Sequence, residues 1–204
     1  MLDTKRHWFV GLEKVVAKVF GILPLTPNQF TYLSGVFAIF IFWFMCNGDL
    51  VLGTIFFLIA AGLDLVDGAV ARAKNMVTVK GAFLDTIFDR YIEGTVLIGF
   101  IFLGLPDIFL PIGFWISLAI FGSLVTSYVP AAALEKEMWS GKQLRAGIMT
   151  RAERIIFILA ALILGIIYPD YIYTTYIIIA LTIISNISAI QRVVIIIKKN
   201  NSCE

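Results

Sequence analysis

The sequence predicts an all-α polytopic membrane protein with six transmembrane helices, an N-terminal interfacial amphipathic helix and both termini in the cytoplasm. Three observations support this fold class. Hydrophobic residues make up 60% of the 204 residues, and the mean hydropathy of +0.93 is too apolar for a soluble domain of this length. Six apolar segments follow one another along the chain. All 16 Lys and Arg residues fall on one side of the resulting topology.

The N-terminal segment, residues 1–25, is expected to lie along the membrane surface rather than cross it. Apolar residues recur at helical spacing over residues 8–20, while Lys14 and Lys18 fall on the opposite face. This amphipathic pattern is typical of a helix in the membrane interface, and its charges exclude a span. Thr26 is the predicted N-cap of the helix that follows.

Six transmembrane helices are predicted in one membrane domain over residues 26–199, and a polar tail follows over residues 200–204. The predicted spans cover approximately residues 28–46, 51–72, 81–105, 109–133, 150–168 and 171–190. Each is close to the ~20 residues that cross the hydrocarbon core of a bilayer, and the fifth is the shortest in purely apolar terms.

The charges in the loops indicate how these spans are oriented. The turns that begin at Asn47, Leu105 and Tyr168 contain acids but no Lys or Arg. Because positively charged loops stay on the cytoplasmic side, both termini and the two longer loops are expected there. We therefore expect an integral protein of a prokaryotic cell membrane, with the acidic site described next facing the cytoplasm.

Four aspartates lie at the cytoplasmic ends of the second and third predicted spans. With their small and basic neighbours they occupy two helical faces: Asp64, Asp67, Gly68, Ala71 and Arg72 on one, and Gly81, Asp85 and Asp89 on the other. The two spans are expected to be antiparallel neighbours joined by a short loop, so the four carboxylates can converge near the cytoplasmic boundary. One charged residue costs roughly 2.5 to 3.5 kcal/mol near the bilayer centre, and four repel one another unless cations neutralise them.

The ligand chemistry of these acids indicates hard divalent cations. Oxygen-only ligands suit Mg²⁺ or Mn²⁺, and Mg²⁺ in such sites usually takes substrate phosphates as further ligands. Two other interpretations fit these acids less well. A belt of interfacial ion pairs would not need small residues interleaved at helical spacing. A cation-coupled transporter would place its acids near the midplane rather than at one edge.

The eight residues of the two helical faces, from Asp64 to Asp89, resemble the signature of the CDP-alcohol phosphatidyltransferase family. They fill every fixed position of that signature, D-x2-D-G-x2-A-R-x8-G-x3-D-x3-D. The similarity extends to the six-span layout, the interfacial helix and the Thr26-Pro27-Asn28 start of the first span. The resemblance implies a transferase of phospholipid biosynthesis, which moves a phosphatidyl-type group from a CDP-lipid to an acceptor hydroxyl and releases CMP. Metal-dependent CMP release would exclude both a transporter and a non-catalytic lipid-binding scaffold.

The resemblance also implies a role for each residue. Asp64, Asp67 and Asp85 would hold two Mg²⁺ or Mn²⁺ ions on the CDP pyrophosphate. Asp89 would complete the metal site and act as general base on the acceptor hydroxyl. The nucleotide would be bound by Asn28, Thr31, Asp64, Gly68, Ala71, Arg72 and Gly81. Members of the family are commonly homodimers, so a homodimer is expected, and no nucleic acid is expected as a partner.

The loop before the fifth span provides candidate ligands for the acceptor. Thr150 to Glu153 predicts a capping box. Arg151 and Arg154 then lie in the first helical turn, where the helix dipole disfavours cations, and a bound anion would offset this cost. Lys142 and Arg145 add positive potential, so these four cations are the candidate acceptor-phosphate ligands. Alternatively, they only satisfy the positive-inside rule.

The string from Arg151 to Arg154 is similar to the corresponding segment of the phosphatidylinositol phosphate and archaetidylinositol phosphate synthase branch. Inositol phosphate is therefore the expected acceptor. That branch carries arginines after the Ser-Tyr pair that ends the fourth span, whereas none follows Ser127-Tyr128 here. Glycerol 3-phosphate and serine stay open as acceptors, and the lipid is either CDP-diacylglycerol or CDP-archaeol.

Overall fold

The computed structural model of the protein describes residues 18–20, 24–138 and 147–200. Within these ranges the six long helices are α1 (Pro27–Cys46), α2 (Leu50–Ala73), α3 (Val79–Gly99), α4 (Ile112–Glu135), α5 (Arg151–Ile167) and α6 (Ile172–Asn200), with a short 3₁₀ helix, Phe100–Leu103, after α3. The all-α prediction is confirmed. Residues 18–20 are helical, and the rest of the predicted interfacial helix lies outside the described residues.

Capping residues set the starts of α1, α2, α3 and α5. At α2, Asp49 Oδ1 accepts the N–H of Leu52 at 3.0 Å. At α1 and α5 the predicted caps are confirmed as capping boxes: Gln29 Oε1 accepts the Thr26 N–H at 2.7 Å, and Glu153 Oε2 accepts the Thr150 N–H at 2.6 Å. These contacts satisfy amides that would otherwise lack a helical partner. At α3, Thr78 Oγ1 accepts the N–H of Gly81 at 3.0 Å. This cap fixes the first turn of the helix that carries two of the aspartates.

Four helices in the described part of the chain are long and apolar enough to cross a membrane. They are Pro27–Cys46, Leu50–Ala73, Ile112–Glu135 and Ile172–Lys199. The other two long helices, α3 and α5, do not combine this length with this apolar composition, each for its own reason. α3 has the length but carries Lys80, Asp85, Asp89, Arg90 and Glu93. α5 has 17 residues, about 25 Å against a hydrocarbon core of about 30 Å. The chain is therefore an integral membrane protein with at least four membrane-length helices.

The helices pack as two compact units, Met1–Phe102 and Leu103–Glu204. In the first unit, α1 packs against both α2 and α3, which touch each other only sparsely. This differs from a simple antiparallel hairpin of the second and third spans. The acids of α2 and α3 therefore depend on α1 for their relative placement.

In the second unit, α6 packs against α4 and α5 and bonds to them through polar side chains. Asn186 Nδ2 donates to the carbonyl of Leu118 in α4 at 3.0 Å, and Thr182 Oγ1 donates to that of Trp115 at 3.0 Å. A Cβ at Gly122 would lie 2.7 Å from Asn186 Nδ2, so the glycine is what admits the amide. Asn186 is therefore a helix-packing residue.

Candidate active site

Three of the four aspartates approach one another where α2 ends and α3 begins. One carboxylate oxygen from each of Asp64, Asp67 and Asp85 lies within 4.8 Å of the other two. Asp67 is buried, and the other two are half-buried. Three carboxylates at this separation repel one another, so the group favours bound cations. Its all-oxygen donor set fits Mg²⁺ or Mn²⁺, as the sequence predicts.

Asp89 lies one turn further along α3 than Asp85. It is 7% exposed, and the metal-type group found among the described residues comprises the other three aspartates. Residues four apart on a helix share a face, so Asp85 and Asp89 point to the same side of α3. The assignment of Asp89 as general base and additional metal ligand stays a prediction.

A cavity of about 260 Å³ opens beside the aspartates. It is lined by Pro27, Asn28, Thr31, Asp67, Gly68, Ala71, Arg72, Met76, Val77, Thr78, Gly81, Ala82 and Asp85. The lining includes every predicted nucleotide residue except Asp64, which lies in the acidic group. The segment Met76 to Thr78 also lines the cavity and was not predicted, because nothing in its residue types marks a ligand contact.

The glycines of the cavity are needed for close packing as well as for space. A Cβ at Gly81 would lie 2.9 Å from Asn28 Oδ1 and 3.0 Å from Thr78 Oγ1. Glycine at this position therefore lets the first turn of α3 approach the first turn of α1. At Gly68 a Cβ would lie 3.2 Å from Arg72 Nη1, so the guanidinium extends back over the glycine. Both glycines therefore leave room for predicted nucleotide residues, Asn28 and Arg72, at the cavity wall.

Thr31 has a role beyond the one predicted for it. It lines the cavity, as a nucleotide residue would, but its Oγ1 donates a hydrogen bond to Asp67 Oδ2 at 2.7 Å. Thr31 is 4% exposed and Asp67 is 7% exposed. The hydroxyl is therefore committed to one of the three grouped carboxylates.

A pair of arginines, Arg154 buried and Arg192 half-buried, lies in the second unit. Arg154, in the first turn of α5, is 2% exposed, and its Nη1 donates to Thr126 Oγ1 at 3.2 Å. Arg192 of α6 donates from Nη1 to the carbonyl of Thr126 at 2.6 Å, and from Nη2 to that of Met149 at 3.4 Å. Two guanidinium groups thus converge on one residue of α4. Guanidinium N–H groups placed together in this way suit an anion such as phosphate.

The predicted acceptor-phosphate ligands are placed unequally by the structure. Arg154 belongs to the arginine pair and is buried, and Arg151 is half-buried in the same helical turn. Lys142 and Arg145 lie outside the described residues. Arg192 was not predicted as a ligand, although an arginine among the apolar residues of the last helix is a signal that could have identified it.

Comparisons with known proteins agree with the family that the aspartate signature resembles. The CDP-alcohol phosphatidyltransferase family matches residues 24–197. The archaetidylinositol phosphate synthase of Pyrococcus horikoshii is 32% identical over 152 residues, which cover 74% of this chain and 75% of that protein. The synthase of the same name from Methanothermobacter thermautotrophicus is 34% identical over 149 residues, which cover 72% of this chain and 71% of that protein.

A longer relative and two solved structures are also similar. The bifunctional IPC transferase and DIPP synthase of Aquifex aeolicus is 33% identical over 185 residues, and the chain spans 40% of its length. The phosphatidylinositol phosphate synthase of Mycobacterium tuberculosis with CDP-DAG bound has a TM-score of 0.76 at 24% identity, covering 90% of this chain and 92% of that one. Its complex with manganese and citrate has a TM-score of 0.77 at 23% identity, and the match covers 90% of this chain and 88% of that one. These structures share the fold of the present chain.

Proposed function

Because the chain belongs to the CDP-alcohol phosphatidyltransferase family, we propose that it transfers a phosphatidyl-type group from a CDP-lipid to a hydroxyl of inositol phosphate and releases CMP. The observation that carries the proposal is the grouping of Asp64, Asp67 and Asp85 beside the cavity. Carboxylates at this spacing next to a glycine-lined cavity suit a metal-bound pyrophosphate.

The reaction is a displacement at one phosphorus atom. The acceptor hydroxyl oxygen attacks the phosphorus that carries the lipid, and the bond from that phosphorus to the bridging oxygen breaks. CMP leaves with the bridging oxygen. Asp64, Asp67 and Asp85 would hold two Mg²⁺ or Mn²⁺ ions, which draw negative charge off the pyrophosphate and the departing CMP. Asp89 takes the proton of the acceptor hydroxyl as the new bond forms.

Inositol phosphate is the acceptor that the residues support best. Two similar proteins bear the name archaetidylinositol phosphate synthase. Arg154 and Arg192 meet at Thr126, and paired guanidinium groups suit a phosphate because several N–H donors bind it at once. Glycerol 3-phosphate presents the same anion, whereas serine has no phosphate and would leave this charge unused.

Purified enzyme given CDP-lipid and Mn²⁺ is expected to release CMP when inositol 1-phosphate is added. Arg154→Leu should raise the KM for the acceptor about ten- to hundredfold, since hydrogen bonds to charged groups contribute roughly 1.5 to 3 kcal/mol. The KM for the CDP-lipid should stay within about twofold, because Arg154 serves the acceptor. The measurement is initial CMP release against the concentration of each substrate.

Lys136→Gln is the matched control for this experiment, because Lys136 is exposed and pairs with its neighbour Glu135. It should leave both KM values unchanged. Arg154→Lys, which keeps the charge but not the planar fork, should give an intermediate KM. CMP release with glycerol 3-phosphate but not with inositol 1-phosphate would overturn the proposed acceptor, and no release with any acceptor would overturn the reaction.

We also propose that residues 26–199 form one membrane domain of six spans, with both termini in the cytoplasm of a prokaryotic cell. The support is the segregation of Lys and Arg residues, together with α3 and α5, whose 21 and 17 residues lie within the range of known spans. The homodimer expected from the family resemblance likewise stays a prediction, which cross-linking in membranes tests.

Cysteine labelling tests the orientation. In a Cys46→Ser background, Asn47→Cys should react with a membrane-impermeant maleimide in intact spheroplasts, because Asn47 begins a proposed outer turn. The native Cys203 should react only after the membrane is permeabilised. Labelling of Cys203 in intact spheroplasts would contradict a cytoplasmic C-terminus.

A further inference from the structure

We propose that Thr31 is a positioning residue of the metal site, acting through Asp67 rather than by contact with the nucleotide. The proposal rests on the proposed metal-dependent function of the aspartate group. Its basis is the hydrogen bond of 2.7 Å from Thr31 Oγ1 to Asp67 Oδ2. Both residues are buried, so water competes little for either partner.

The bond is a strong one of its kind. The distance of 2.7 Å is ordinary for a hydroxyl donor, and the bond gains strength because its acceptor is a carboxylate. Thr31 Oγ1 also lies 3.3 Å from the carbonyl of Pro27, one turn earlier in α1. A hydroxyl has one hydrogen to donate, so the shorter contact takes it. The proton of Thr31 is therefore directed at Asp67.

The consequence for the metal site follows from the two oxygens of a carboxylate. With Oδ2 held by the hydroxyl, rotation of the Asp67 carboxylate is restricted while it lies within 4.8 Å of the grouped oxygens of Asp64 and Asp85. Outer hydrogen bonds of this kind orient metal ligands and reduce the entropy that a ligand loses when a metal binds. Thr31 thus prepares one ligand for the metal.

Apolar packing beside the pair keeps the two helices in the required register. Phe30 of α1 packs with Val66 and Val70 of α2, and all three are buried. Phe30 precedes Thr31 and Val66 precedes Asp67 in the chain, so the apolar contact and the hydrogen bond occupy the same level of the α1–α2 interface. The packing brings the Thr31 hydroxyl close to the Asp67 carboxylate, and the hydrogen bond then orients that carboxylate.

A direct test compares the metal affinity of three forms of the full-length enzyme in detergent. The measurement is Mn²⁺ binding without CDP-lipid, followed by the paramagnetic resonance of free Mn²⁺. Thr31→Val keeps the shape of the side chain and removes the donor, so its Kd for Mn²⁺ should rise about ten- to hundredfold. Thr31→Ser keeps the donor, and its Kd should stay within about threefold of the original.

Ser34→Ala is the matched control. Ser34 is a buried hydroxyl on the same helix, and its Oγ donates to the carbonyl of Thr31 rather than to a carboxylate. Its loss should leave the Kd for Mn²⁺ unchanged. In activity assays, Thr31→Val should regain most of its turnover at saturating Mn²⁺, with the KM for the CDP-lipid near that of the original enzyme.

Two outcomes would overturn the inference. One is unchanged Mn²⁺ binding in Thr31→Val together with a raised KM for the CDP-lipid, which would make Thr31 a nucleotide contact. Another is equal weakening in Thr31→Ser and Thr31→Val, which would make packing the cause. If Thr31→Val does not fold, Thr31→Ala replaces it, and an unchanged Kd there has the same meaning. These readouts concern metal binding, so they remain decisive even if no acceptor supports CMP release.

Discussion

Replacing Asp85 with asparagine is expected to reduce CMP release about a thousandfold or more. Asp85 is the contribution of α3 to a group whose other two carboxylates come from α2. An amide keeps the shape but lacks the charge that offsets a divalent cation, so both metal affinity and stabilisation of the leaving CMP fall. The measurements are CMP release and Mn²⁺ binding on the same preparation.

Excess Mn²⁺ should not restore the Asp85→Asn enzyme, because the missing negative charge also reduces catalysis once metal is bound. Asp170→Asn is the control, since Asp170 lies in the exposed turn before α6, where its Oδ1 accepts the N–H of Ile172 at 3.3 Å. It should retain full activity. Activity of Asp85→Asn within tenfold of the original would show that the aspartate group is not the metal site of the reaction.

Replacing Asp89 with asparagine is expected to abolish turnover while leaving CDP-lipid binding nearly unchanged. A general base contributes about 10² to 10⁴ in rate, and an amide cannot take the proton of the acceptor hydroxyl. Asp89 is buried and lies one turn from the three grouped carboxylates, so its loss should leave the cavity and those ligands in place. Single-turnover CMP release and equilibrium binding of a CDP-lipid separate the two effects.

The Asp89 variant also distinguishes its two assigned roles. If Asp89 is a general base alone, Mn²⁺ affinity should be unchanged. If it is also a metal ligand, the Kd for Mn²⁺ should rise together with the loss of turnover. Near-original turnover by Asp89→Asn would show that the proton of the acceptor goes elsewhere, and recovery at high Mn²⁺ would make Asp89 a ligand and not a base.

Much of the site follows from local geometry and was therefore accessible to sequence analysis. Side chains three and four residues apart share a helical face, so the spacing of Asp64 and Asp67 places them together without knowledge of the fold. The starts of α1 and α5 were predictable for a similar reason. The capping residue and its partner at Thr150 and Glu153 are three positions apart, and their hydrogen bonds depend on one helical turn.

Other features depended on helix packing and were not predictable. The sequence predicts that the second and third spans pack side by side, whereas α1 packs against both and they touch each other only sparsely. Thr31 is predicted from the sequence to bind nucleotide. Its hydrogen bond to Asp67 could not be predicted, because the two residues lie 36 positions apart in the chain. Arg192 lies 66 positions from Thr126, and only the packing of α6 on α4 reveals that contact.

The sequence by itself determined the helical class, the membrane setting, the family and the faces on which the aspartates lie. These properties depend on composition, on fixed spacing and on interactions within one or two helical turns. The tertiary structure decided which three carboxylates form a group, which hydroxyl orients one of them and which arginines meet. Those contacts join residues on different helices. The spacing of apolar residues within one helix does not predict which other helix it packs against.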